Sequence, residues 1–138
     1  MPIAKELEIQ TENQPGALGK LCGTLADRGV NILAFQASSS ERQSQVHLIV
    51  DNPTTAKTVL DAEGFAYIEA EVVQATLPQR PGELARAASR LGEAKININY
   101  AFGGIDPNTN APLIFLGVAE VARAAKILGQ PGVAAAGT

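Results

Sequence analysis

The chain has 138 residues and a mass of 14.4 kDa; 46% of its residues are hydrophobic, 18% charged and 4% aromatic, and its formal charge is −3 with a pI of about 5.1. That acidic balance excludes a nucleic-acid binder driven by phosphate neutralisation, and no run nears the roughly 18 consecutive apolar residues of a membrane span. Cys22 stands alone, which excludes an intramolecular disulfide and a CxxC metal pair; with Met1-Pro2-Ile3-Ala4-Lys5-Glu6 lacking the basic-then-apolar pattern of a leader, a cytoplasmic globular protein is expected.

Residues 6–10 alternate, which predicts a strand with Leu7 and Ile9 toward a core and the polar residues away from it. Residues 11–14 read as a polar loop. Pro15 suits the first turn of a helix, where a missing N–H costs nothing. Leu18, Leu21, Cys22 and Leu25 give that helix one apolar stripe and make Cys22 a core residue, and Gly29 suits its end. A second strand is expected at 30–37, a turn at 38–42 and a third strand at 45–50. Val46, Leu48 and Val50 share one face of that strand, and His47 lies on the other as a surface or interface histidine. Asn52-Pro53 opens a second helix with Ala56, Val59 and Leu60 inward; Gly64 stops it, and 65–69 is short and extended.

The chain is then written again. Pro15-Gly16 with Leu18 recurs as Pro81-Gly82 with Leu84, an offset of 66 residues. The same offset lays Leu25 on Leu91, Val30 on Ile96, Asn31 on Asn97, Ile32 on Ile98, Leu48 on Ile114 and Ala56 on Ala122, without a gap. Two modules are expected, residues 1–69 and 70–138. The second reads as strand 72–77, helix 82–94, strand 96–102, a loop through Gly103, Gly104 and Pro107, strand 113–116 and helix 119–128. Residues 133–136 read as a weak last strand or a frayed end. This copy is the poorer one, because Lys95 replaces Gly29 and no Asn-Pro cap precedes its last helix. The order βαββαβ predicts an α+β protein of two ferredoxin-like repeats, each with both helices on one face of an antiparallel sheet.

Beyond core hydrophobes, both copies keep the Pro-Gly turn and the Asn that opens the second strand, and these are expected at the same end of the sheet. A helix N-terminus offers N–H groups and partial positive charge to a carboxylate. Gly16 and Gly82 lack a Cβ and permit close approach, and Asn31 and Asn97 each carry a donor and an acceptor. Such a corner suits the carboxylate and ammonium of an α-amino acid. It equally suits a bare helix start and a capped strand corner, and local sequence leaves the two readings open.

Asn13-Gln14-Pro15-Gly16-Ala17-Leu18, followed by a helix and Gly29-Val30-Asn31-Ile32, resembles the ACT domain. Leu77-Pro78-Gln79-Arg80-Pro81-Gly82-Glu83-Leu84 with Ile96-Asn97-Ile98 resembles a second one. The resemblance covers nearly the whole chain and implies a small tandem-ACT regulatory protein that binds a free amino acid, with no catalytic residues, cofactor or metal. It places one candidate site at Asn13, Gln14, Pro15, Gly16, Ala17, Leu18, Asn31 and Ile32. The second comprises Gln79, Arg80, Pro81, Gly82, Glu83, Leu84, Asn97 and Ile98. Gln79 and Arg80 depart from Asn13 and Gln14, so unequal affinity is expected. Pockets of such modules form at interfaces, which implies a homodimer, with edge-to-edge sheet joining the obvious route.

Two alternatives stand beside this reading. One is a ligand-independent regulatory subunit of an amino-acid-metabolic enzyme or a transcription factor. The other, more remote, is a small acyl-phosphate hydrolase, whose phosphate-holding arginine only Arg80 could supply, since no basic residue lies between Lys5 and Lys20. One histidine on a strand face and one cysteine on a helix stripe give no visible nucleophile–base pair. The stretch 103–110 is expected as a flap or a simple hairpin, with Asn99 and Tyr100 beside it, and Glu69 and Glu71 as solvated charges.

Overall fold

The computed structural model describes residues 3–41 and 43–129. In chain order they form β1 (Ile3–Glu12), α1 (Ala17–Ala26), β2 (Ile32–Ser40), β3 (Gln43–Val50), α2 (Pro53–Ala62), β4 (Ala66–Thr76), α3 (Glu83–Glu93), β5 (Ile98–Ile105), β6 (Pro112–Val118) and α4 (Val121–Leu128). These elements group into two compact units, residues 5–70 and residues 71–129 with Ile3 and Ala4. The strands expected at 65–69 and 72–77 are one strand, β4, which runs through the boundary because no glycine or proline interrupts it. The last strand expected at 133–136 lies outside the described residues.

In the first unit β1 and β2 both pair antiparallel with β3, in the order β1-β3-β2. Leu7 and Ile9 of β1, Val46, Leu48 and Val50 of β3, Leu21 and Leu25 of α1, and Ala56, Val59 and Leu60 of α2 close one buried cluster. Both helices therefore cover one face of the sheet, as the two periodicities require. Asn52 caps α2 by accepting the Thr55 N–H at 3.1 Å, with Pro53 as the first helical residue. Gly29 and Gly64, at φ 76° and 77°, end α1 and α2. There the N–H of Val30 donates to the Leu25 carbonyl and that of Phe65 to the Leu60 carbonyl, at 3.1 and 3.0 Å.

Several expectations are corrected here. α1 starts after Pro15, because Gly16 adopts φ 88° at the N-cap and turns the chain into the helix; Gly82 does the same at φ 90°. A Cβ at either glycine would meet nothing within 4 Å, so the left-handed backbone and not a close approach is what requires glycine. Leu18 is 39% exposed and Cys22 only half-buried, so the stripe narrows to Leu21 and Leu25. The turn expected at 38–42 shrinks, since Ser38, Ser39 and Ser40 pair with Gln45, Ser44 and Gln43.

In the second unit β4 and β5 flank β6, and Val73, Ala87, Leu91, Ile96, Leu116, Val118, Ala124 and Leu128 form its core. Gly103 and Gly104 belong to β5, opposite Ile114 and Leu113, and not to a loop. Both second strands carry an irregularity at matching places, Ile32/Ala34 and Ile98/Tyr100. The register also corrects the unbroken repeat. Leu7 pairs with Leu48, and its counterpart Val73 pairs with Leu116 and not Ile114. From β6 onward the offset is therefore 68, and fully buried Ala56 answers to fully buried Ala124, not to Ala122. Two extra residues in the β5–β6 connection account for the change. Among the described residues no helix is long and apolar enough to cross a membrane.

Candidate functional site

β1 leaves the sheet at Glu12, opposite Gln43, whereas β2 enters it at Ile32, opposite Val50. The two strands are parallel, so the α1 crossover returns the chain to the other end of the sheet. The length of β2 separates Asn31 from the β1–α1 turn by roughly 25 Å. The expected single corner is thus corrected: Asn31 and Ile32 do not meet Gly16. Asn97 and Ile98 do not meet Gly82 either, since Thr76 pairs with Leu113 at one end and Ile98 with Val118 at the other. The Asn31 N–H donates to Asp51 Oδ1 at 2.9 Å and its carbonyl accepts the Asp51 N–H at 3.0 Å. The Asn97 amide donates to Asn99 Oδ1 at 2.9 Å.

The rest of the first site is brought together. Asn13, Gln14, Ala17 and Leu18 line a cleft of about 190 Å³, with Ser38, Ser39 and Ser44 across it. On the other side of the same loop, Glu12, Gln14, Ala17 and Lys20 border a wider cleft of about 470 Å³ that reaches Gln43 and Phe65. Asn13 holds the loop in place by donating its amide to the Glu41 carbonyl at 2.9 Å. No side chain caps α1 and no acidic residue lies in its first turn, so its positive end stays open to the clefts. Sequence reasoning missed the three serines because it placed a turn where β2 continues. No local signal could have found them, since residues 38–45 are polar throughout.

The second corner is built differently. Glu83, the first residue of α3, is only 5% exposed, and its carboxylate lies 3.3 Å from Arg80 Nε and 3.8 Å from Arg86 Nε. The first turn of α3 therefore carries a carboxylate where α1 has Ala17, while neither helix has a side-chain cap. Arg80 is engaged by that carboxylate, which removes the free arginine that a phosphate-holding loop needs. Leu84 is exposed beside it, as Leu18 is in the first unit.

A buried polar cluster was not foreseen. The alternation of β1 places Glu6 and Glu8 on the face away from the helices, and Glu8 lies directly opposite His47 of β3. Glu6 is fully buried and His47 is 6% exposed, so the surface reading of His47 is corrected. His47 Nδ1 lies 2.7 Å from Glu6 Oε1 and 3.8 Å from Glu8 Oε1. The hydrogen bond to Glu6 raises the His47 pKa above the ordinary imidazole value, against the opposing effect of burial. Burial, then the Glu6 charge, raises Glu8. Burial also raises the Cys22 thiol. Cys22 belongs to a helix on one face of the sheet and His47 points from the other, so the two form no nucleophile–base pair.

Other expectations resolve simply. Tyr100 lies over Gly117, where a Cβ would collide with its ring, and stacks on Phe102 at 6.4 Å, so it packs on the sheet. The segment after β5 is a closed hairpin connection: the Asn110 N–H donates to the Asp106 carbonyl and the Asn108 N–H to the Asp106 carboxylate. Glu69 pairs with Lys57 at 3.3 Å.

These elements define a ferredoxin-like α+β protein. More narrowly, residues 5–62, within the first unit, match the family model of the ACT domain. No curated protein matches the chain in sequence. A crystal structure of a protein from Bacteroides thetaiotaomicron is similar to it with a TM-score of 0.85 at 24% identity, over 95% of this chain and 90% of that one. The ligand-free regulatory subunit of aspartate kinase from Thermus thermophilus is similar with a TM-score of 0.63 at 19% identity, over 92% and 90% of the two chains. Aspartate kinase from Clostridium acetobutylicum matches 91% of this chain with 33% of its own, at a TM-score of 0.56 and 12% identity. At these identities the likeness is one of fold.

Proposed function

We propose that this chain is a tandem-ACT regulatory protein that binds a free amino acid at the β1–α1 loop of its first module and passes the signal through dimer assembly. The observation that carries the reading is the open N-terminus of α1. Within the matched ACT region it faces two clefts that share Gln14 and Ala17, the smaller also lined by Asn13. A ligand carboxylate is suited to the uncapped N–H groups, aided in the wider cleft by Lys20. Glu12, which lines both clefts, supplies the opposite charge for the ammonium. The smaller cleft, about 190 Å³, is below the usual range for drug-sized ligands and suits a metabolite of amino-acid size. The fold shared with an aspartate kinase regulatory subunit supports a regulatory role over a catalytic one. The second corner, where Glu83 puts a negative charge into the first turn, is the weaker or silent copy.

Calorimetric titration of the full chain with each of the twenty common amino acids tests this. One of them is expected to bind saturably and to shift sedimentation toward dimer. Ala17→Glu, which installs the carboxylate of the second corner in the first, should weaken binding at least tenfold. An absence of binding across all twenty, or binding indifferent to Ala17→Glu, refutes the reading. A ligand acts on assembly only through its different affinity for the two states, so binding without a sedimentation shift removes the dimer mechanism.

A further inference from the structure

The polar cluster on the far face of the first sheet is not required by the fold. The pairing register gives each member a counterpart in the second unit: Val72 for Glu6, Gln74 for Glu8, Phe102 for Gln36 and Phe115 for His47. Val72 and Phe115 are buried, and Phe102 stacks on Phe115 at 5.3 Å, so an apolar pack serves this place in the same fold. In the first unit the place holds two carboxylates and an imidazole, and burying such groups is costly unless they are paired or bind a cation.

We propose that Glu6, Glu8 and His47 form a binding site for a divalent first-row transition-metal cation, with the Gln36 amide oxygen as the fourth donor. One ligand atom from each of the three titratable residues lies within 4.8 Å of the others. Metal–ligand bonds of about 2.1 Å place neighbouring ligand atoms about 3.0–3.4 Å apart in tetrahedral or octahedral geometry. The separations of His47 Nδ1 from Glu6 and Glu8, 2.7 and 3.8 Å, straddle that range, so small side-chain movements complete the site.

The independent observation is Gln36. Its register partner is His47, so both side chains leave the same face of the sheet. Its Oε1 is buried and, among the described residues, has no hydrogen-bond partner. A buried acceptor without a donor is uncommon in a folded protein, and on the strand directly beside His47 it is a ready oxygen ligand. Glu8 also lines a cleft of about 180 Å³ with Gln10, Gln45 and Tyr67, which gives an ion a path from solvent. One imidazole with oxygen donors suits Zn²⁺ or Mn²⁺.

The test is calorimetric titration of the EDTA-stripped full chain with ZnCl₂ and with MnCl₂, paired with thermal melts. One equivalent of one of these ions should bind per chain and raise the melting temperature. Glu8→Gln keeps the shape of a partly exposed side chain and should lower affinity at least tenfold, as should His47→Gln. Circular dichroism establishes that both variants are folded. The double variant Asn13→Ala/Gln14→Ala should bind the metal like the wild type, which separates this site from the amino-acid corner. No saturable uptake of either ion by the wild-type chain overturns the proposal, as does equal affinity in folded Glu8→Gln.

Discussion

The two units solve the same backbone problem with different chemistry at matching positions. At the strand-to-helix corner, the first turn of α1 starts with the uncharged Ala17, while that of α3 carries the Glu83 carboxylate between Arg80 and Arg86. On the far face of the sheet, Glu6 and His47 in one unit answer to Val72 and Phe115 in the other. At the helix ends, Gly29 answers to Lys95, and Asn52 to Glu120. What is shared, the core stripes and the left-handed glycines at Gly16 and Gly82, is what a βαβ crossover with one covered face needs. What differs marks where the first unit departs from the requirements of folding.

The sharpest way to break the comparison is to convert one unit toward the other. Glu6→Val alone leaves His47 buried without its 2.7 Å partner and should cost about 3 kcal/mol. Adding His47→Phe and Gln36→Phe, the residues of the second unit, should recover most of that loss. Urea midpoints measure both, and equal losses in the single and combined variants would show that the polar cluster is itself a pillar of the fold. Next come the helix ends. Lys95 holds φ 64° with the same terminal bond that Gly29 makes possible, Ile96 N–H to Leu91 carbonyl at 2.9 Å. Lys95→Gly should therefore stabilise by about 1 kcal/mol, and Gly29→Lys should destabilise by about as much; thermal melts that show neither shift would equate the two ends. Asn52→Ala should cost about 1 kcal/mol through the lost cap to Thr55, whereas Glu120→Ala should cost less, because Glu120 makes no side-chain cap bond.

The smallest expected effect is on pH dependence in the metal-free chain. The raised His47 pKa means the folded state holds that proton more tightly than the unfolded chain. Its stabilisation is complete below the ordinary value of 6.5 and is lost as pH rises through the raised folded value. Glu8 acts in the same direction from 4.5 upward, since its carboxyl is also raised. Melting temperature should fall from weakly acid to alkaline pH, and Glu6→Gln should flatten that slope. His47 is the sole histidine, so a proton NMR titration follows it directly; an imidazole that titrates at or below the ordinary value contradicts this account.

Much of the architecture was legible because the local signals were strong. Alternation in residues 6–10 and 45–50, the Asn52-Pro53 cap and the Gly29 and Gly64 stops each report a preference of a few neighbouring residues. The Asn13 to Leu18 loop was legible as a motif, but its wall of Ser38, Ser39 and Ser44 was not, because a serine run reads locally as a turn. Asn31 was attached to the wrong end of the sheet, since strand direction depends on the crossover and not on sequence distance. The two-residue shift in the repeat was hidden for the same reason: composition on either side of the β5–β6 connection fits both offsets, and only pairing with β4 distinguishes them.

By itself, the sequence determined most of the elements, their order and most of the residues that form each core, because hydrophobic periodicity and chain punctuation act over a few residues. The tertiary structure alone decided which polar side chains are buried together. His47 lies about forty residues from Glu6 and Glu8 along the chain, and only the β1–β3 register brings the three side chains into one place.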